Sequence, residues 1–122
     1  SSVKIVELLL NHPNIDINKQ TKHGYTALMI VCLYYFDHCH QIINLMLKHP
    51  NIDVNKNNNE GNSALILACL NYNIFHRFEP IDILLNYHGT NIIIDRNCIR
   101  NNEFYKTIFI RYIKNNGKNF YL

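Results

Sequence analysis

The feature that most constrains this chain is a string of residues that occurs twice. Leu8-Leu9-Leu10-Asn11-His12-Pro13-Asn14-Ile15-Asp16-Ile17-Asn18 is followed by Gly24-Tyr25-Thr26-Ala27-Leu28. The same order returns as Leu45-Met46-Leu47-Lys48-His49-Pro50-Asn51-Ile52-Asp53-Val54-Asn55 with Gly61-Asn62-Ser63-Ala64-Leu65. Pro13 to Pro50, Asp16 to Asp53 and Gly24 to Gly61 are each 37 positions apart. A worn third copy stands at Ile83-Leu84-Leu85-Asn86-Tyr87-His88-Gly89. Self-similarity at a period of about 20 to 50 residues means units that cannot bury their apolar faces alone and do so by stacking. The 122 residues therefore make one small domain whose core is continuous only through the stack.

Local signals give the content of a unit. Val3 to Asn11 carries apolar residues at 5, 6, 8, 9 and 10, the stripe of a helix with one face on a core, and Pro13 stops it. Asn14 to His23 is polar around a short Ile15-Asp16-Ile17 alternation, and Gly24 closes it with the positive φ that a tight turn needs, giving a hairpin-like finger. Thr26 is placed to cap the next helix, Ala27 to Leu33, which is apolar almost all round and so must be sandwiched. After Tyr34 to Gln41 an outer helix runs from Ile42 to Lys48, and Pro50 ends it. Ser63 caps the second inner helix, with a loop expected from Asn71 to Glu79. The chain opens at Ser1-Ser2 directly into the back half of a unit, which reads as a piece of a longer array.

Finger, inner helix, loop, outer helix: the unit resembles the ankyrin repeat. Thr26-Ala27-Leu28-Met29 and Ser63-Ala64-Leu65-Ile66 stand for the Thr-Pro-Leu-His block of that family, and Val31-Cys32 and Ala68-Cys69 for its Ala-Ala pair. Ile5-Val6, Ile42-Ile43 and the weaker Pro80-Ile81 match the second helix, while Asp16-Ile17-Asn18 and Asp53-Val54-Asn55 match the closing Asp-Val-Asn. The departures are a missing Pro and His in the first block, a His-Pro-Asn-Ile run in place of the usual Gly, and long inter-helix loops. They lengthen the period from the family's roughly 33 residues.

The resemblance implies an all-α repeat, an ankyrin-type solenoid of stacked helix-turn-helix units with short hairpin fingers. It covers 1–95, as a partial repeat 1–15 and full repeats of about 16–52 and 53–90. Residues 96–122 read as a C-terminal capping helix or an atypical last repeat, with Phe104, Tyr105, Ile108, Phe109, Tyr112 and Ile113 at helical spacing. The abundance of Asn, Ile, Lys and Tyr points to an AT-rich genome, and the chain resembles ankyrin-repeat proteins of the kind found in large DNA viruses or other AT-rich genomes.

By resemblance the function is protein recognition on the concave face of fingers and inner helices, as a monomer, with no catalysis and no cofactor. The contact residues are then Lys22, His23, Tyr25, Leu33 and Tyr34 in one unit and Asn59, Glu60, Asn62, Leu70 and Asn71 in the next. Tyr25 and Tyr34 are the expected anchors. The acceptor pattern of an asparaginyl hydroxylase, Leu then five residues then Asp-Val-Asn, is met from Leu47 to Asn55 and, with Ile for Val, from Leu10 to Asn18. The plainer reading of Asn18 and Asn55 is that they tie the finger to its own backbone.

Other chemistry is thinly represented. The only serines are Ser1, Ser2 and Ser63, the last used as a cap, and neither a phosphate-cradling glycine loop nor a nucleophile elbow is present. Asp37-His38-Cys39-His40 gathers three kinds of metal ligand, but no second pair accompanies it, so no metal site is expected. His12 and His49 recur just before proline, where an imidazolium would suit a helix C-terminus. A formal charge of +3 does not by itself indicate nucleic acid. The rival reading is a nucleic-acid-binding or adaptor module using the C-terminal helix, where Arg96, Arg100, Lys106, Arg111, Lys114 and Lys118 interleave with aromatic residues, and a purely structural spacer is the third. Cys32 and Cys69 fall in the same slot of successive units, too far apart to bridge, so a reducing, cytoplasmic setting is expected. The chain has neither an apolar run of about 18 residues nor a leader, so no membrane segment or export signal is expected.

Overall fold

The computed structural model describes residues 2–34, 38–75 and 77–93, together with Ile110, Phe120 and Tyr121. The elements in chain order are α1 (Ser2–Leu10), α2 (Ala27–Leu33), α3 (Cys39–Leu47), α4 (Ala64–Phe75), α5 (Glu79–Asn86), β1 (Ile92–Ile93) and β2 (Phe120–Tyr121). Inner helix α2 packs on inner helix α4, and each sits on its own outer helix, α3 and α5. The outer helices in turn pack in the order α1, α3, α5. The five helices thus form the two-layer, all-α stack that the repeat implies.

One core runs through the stack because each unit contributes the same slots to it. Leu28, Met29 and Cys32 of α2 meet Ile42, Ile43 and Met46 of α3, and Leu65, Ala68 and Cys69 of α4 meet Ile81, Leu84 and Leu85 of α5, all of them buried. Ile17 and Val54, the apolar residues at the foot of each finger, close it from the side. Gly24 and Gly61 take φ of 84° and 82°, the left-handed turn expected of them. Thr26 caps α2 by accepting from the Met29 amide at 3.2 Å, and the Met29 sulfur accepts from the Thr26 amide at 3.4 Å in return. Ser63 does the same for α4 more loosely, at 3.4 Å from the Ile66 amide.

The connections depart from expectation. The outer helix α3 starts at Cys39 and not Ile42, because His38 adopts a left-handed φ of 65° and lets the helix begin at once, with its carbonyl accepting from the Ile42 amide at 3.1 Å. Cys39 and His40, expected in an exposed loop, therefore belong to the first turn of α3, with Cys39 buried. The inner helix α4 continues through Asn71 to Phe75, across what reads in sequence as loop. Apolar periodicity could not set that end, since α4 is apolar on every side from Ala64 to Leu70 and then turns to Asn71-Tyr72-Asn73.

The third unit is offset by one more residue. Asn18 binds the amide of Asp53 while Asn55 binds that of Asn91, so the step grows from 37 to 38. β1, Ile92–Ile93, pairs in parallel with β2, Ile92 with Phe120 and Ile93 with Tyr121. Ile110 is helical and exposed. The expected capping stripe, Phe104, Tyr105, Ile108, Phe109, Tyr112 and Ile113, and the basic residues of the tail lie outside the described residues.

Candidate functional site

Each finger is a short turn held by its own side chains. In the first, the Thr21 amide donates to the Tyr25 carbonyl at 2.9 Å and the Thr21 hydroxyl accepts from the Tyr25 amide at 3.1 Å. In the second, Asn58 takes the place of Thr21: its side-chain oxygen accepts from the amides of Glu60 and Asn62, each at 3.0 Å. Asp16 and Asp53 stabilise the base of each finger, accepting from the amides of Asn18 and Asn55 two residues on, at 3.2 and 3.0 Å. These Asx turns explain the recurring Asp-x-Asn as backbone chemistry.

The two fingers are then stitched to each other at their tips. The Asn59 amide donates to the His23 carbonyl at 3.1 Å and its side-chain amide to the Lys22 carbonyl at 3.0 Å. Gln20 bridges the Gly24 and Asn57 carbonyls at 2.9 and 3.0 Å. Gly24 is required twice over, because a Cβ there would lie 2.6 Å from the Asn59 side-chain oxygen and 2.7 Å from its amide. Lys22, His23, Asn59 and Glu60 thus form an exposed row on a fixed backbone.

Asn18 and Asn55 do something other than tie their own fingers. Asn18 donates to the Asn51 carbonyl at 2.6 Å and accepts from the Asp53 amide at 2.8 Å. Asn55 donates to the Gly89 carbonyl and accepts from the Asn91 amide, both at 2.8 Å. Each carboxamide is a two-pronged staple between one unit and the next, with its own finger held by the neighbouring aspartate instead.

The expected contact residues divide by burial. Lys22, His23, Tyr34, Asn59 and Glu60 are exposed, and Tyr34 is the most accessible aromatic among the described residues at 58%. Tyr25, Leu33 and Leu70 are half-buried and pack against the core, and Asn62 is half-buried in the turn. Asn71 does not belong with them. It is 2% exposed and donates to the Leu33 carbonyl at 2.6 Å, so its side chain is spent inside the joint between α2 and α4. A carboxamide directly after the apolar run Ala64 to Leu70 was the available signal, since a buried amide must find a partner. Gln20, whose role depends on which carbonyls the next unit brings near, carried no such signal.

The recurring histidines have a structural role at the helix ends. His12 and His49 accept at Nδ1 from the amides of Asn14 and Asn51, both at 3.1 Å, and so hold the turn after each helix.

Cys32, Cys39 and Cys69 are buried free thiols. Burial raises the Cys32 thiol far above its ordinary value and the neighbouring Cys39 and Cys69 push the same way, the opposite of an activated nucleophile. No helix among the described residues is long and apolar enough to cross a membrane.

Comparison with known proteins agrees with this geometry. A family model for ankyrin repeats, in three copies, matches residues 1–96. Searches of curated proteins and of solved structures find no significant match. Ankyrin repeats generally serve as protein-interaction modules and are typically non-catalytic. With the repeat spacing, the helix pairs and the family model in agreement over most of its length, the chain belongs to the ankyrin-repeat family.

Proposed function

We propose that the protein is a non-catalytic recognition module that binds a partner protein along the exposed row of finger tips and the end of α2. The observation that carries this reading is the stitching of the tips. Lys22 and His23 present their side chains outward while their carbonyls are held by Asn59, so the row is set before a partner arrives and little ordering entropy remains to be lost. Tyr34 stands at the end of α2 as a rigid aromatic with a polar tip, the residue type favoured at binding hot spots. Lys22, His23, Asn59 and Glu60 are the polar contacts around it. Tyr25, Leu33, Asn62 and Leu70 shape the floor, since they are half-buried. The three buried free thiols suit a reducing cytosol, where the module acts as a monomer. Asn18 and Asn55 keep the hydroxylase acceptor pattern, with modification expected only where a staple opens.

The test is capture from lysate with the intact domain beside a Tyr34→Ala, Lys22→Ala double variant, each shown by circular dichroism and thermal unfolding to be equally folded. The reading requires a protein retained by the first and lost by the second. Retention by both would place the contact elsewhere on the chain.

A further inference from the structure

Three lysines of the fingers carry charge that the fold leaves uncompensated. The ion pairs among the described residues are Lys4 with Glu7 in α1 and Arg77 with Glu79 at the start of α5. Among the described residues, Lys19, Lys22 and Lys56 form none. The acids nearest to Lys19 and Lys56 in sequence, Asp16 and Asp53, turn a carboxylate oxygen to the amides of Asn18 and Asn55 at the foot of each finger.

These lysines are also held in place. Lys56 reaches across the joint with its Nζ 3.5 Å from Gln20 Oε1, while the same Gln20 carboxamide binds the Gly24 and Asn57 carbonyls. Its ammonium therefore sits at the seam between the two fingers, next to the turn that carries Lys22. Lys22 has its carbonyl fixed by the Asn59 side chain at 3.0 Å. Lys19 stands one period before Lys56 in the same slot and precedes Gln20 directly. Positive charge thus gathers along the first finger, whereas the second finger has Glu60 in the slot of His23.

Spacing narrows the ligand. Lys19 and Lys56 are one unit apart, and packed helices repeat at about 8 to 10 Å. An extended chain advances about 3.3 Å per residue, so carboxylates three residues apart match the pair. Each ammonium can then make a charge-assisted bond to one carboxylate. A nucleic acid fits the row less well. Glu60 would repel its phosphates, and Tyr25, the tyrosine of the first finger, is half-buried against the core and cannot offer its face to a base.

We propose that the segment recognised on the finger row is extended and acidic, with carboxylates three residues apart on Lys19 and Lys56 and a further acid on Lys22; this rests on the row being the recognition surface. Glu60 sets the direction, since the acidic end of the segment must lie over the first finger and away from the second tip.

The probe is a dye-labelled peptide with Glu at every third position and Ser and Gly between. It is set beside the same peptide with Gln for Glu and a single-stranded oligothymidine of equal length, all read by fluorescence anisotropy. The domain is expected to bind the Glu peptide most tightly of the three, with an affinity that falls as salt is added. Lys19→Gln with Lys56→Gln should weaken that binding by about fivefold, the combined effect of two exposed ion pairs, and Lys19→Arg with Lys56→Arg should keep it. Failure to bind the Glu peptide, equal binding of the Gln peptide, tighter binding of the oligothymidine or full affinity in the Gln-bearing variant would overturn the proposal. The row itself is judged separately by capture with the Tyr34 and Lys22 variant, so loss of capture there without binding of the Glu peptide removes the acidic segment and leaves the row standing.

Discussion

Tyr34 and Asn71 occupy the same slot in successive units, one period apart, and the molecule uses them in opposite ways. In the first unit α2 ends at Leu33, Tyr34 turns extended with φ of −101° and ψ of 139°, and its side chain goes to solvent. In the second unit α4 continues to Phe75, so Asn71 remains helical and points back to the carbonyl that ends α2. One slot therefore supplies a surface anchor in one unit and a joint in the next. The difference is made by helix length, and it shows that a repeat position has no fixed role until its neighbours are placed.

Breaking the joint should have the largest effect. Asn71→Leu keeps the size but leaves the Leu33 carbonyl without its buried donor, and is expected to lower unfolding free energy by about 2 to 3 kcal/mol, read from urea denaturation. Asn71→Asp should not rescue it, because a carboxylate cannot donate to a carbonyl.

The paired glycines sharpen the same contrast between shared turn and unequal surroundings. Gly61→Ala should cost about 1 kcal/mol for a left-handed residue bearing a side chain. Gly24→Ala should cost clearly more, since its new Cβ also meets Asn59 across the tip joint. Equal losses in thermal unfolding would mean that the tips are not held together.

Removal of one staple follows. Asn18→Ala loses two bonds to the next unit at a partly exposed site, for an expected loss of about 1 to 2 kcal/mol. Asn55→Ala should match it, because the geometry at the second joint is the same. The smallest effect belongs to Tyr34→Ala, expected to change stability by less than about 0.5 kcal/mol while removing partner binding.

Much of this was legible in the residues. The period, the two glycine turns, the Thr26 and Ser63 caps and the proline stops are local signals whose physics depends on a few adjacent positions, and the structure places them as read. What was not legible depends on distance across units. The recurrence of Asn18 and Asn55 marked them as important, yet only the fold shows that their partners lie on the next unit and not in their own finger. The end of α4 was hidden because a helix surrounded by apolar neighbours has no polar face whose loss would mark its limit. The candidate site split for the same reason: exposure of Lys22 and His23 follows from the turn, whereas burial of Asn71 follows from where α2 stops.

The central claim, that recognition occurs on the finger-tip and α2 side of the stack, is tested most directly by photo-crosslinking from position 34, with position 44 on the exposed side of α3 as the control. The account predicts a defined protein adduct from position 34, competed away by unmodified domain, and none from position 44. Adducts of equal yield from both positions, or from position 44 alone, would contradict it.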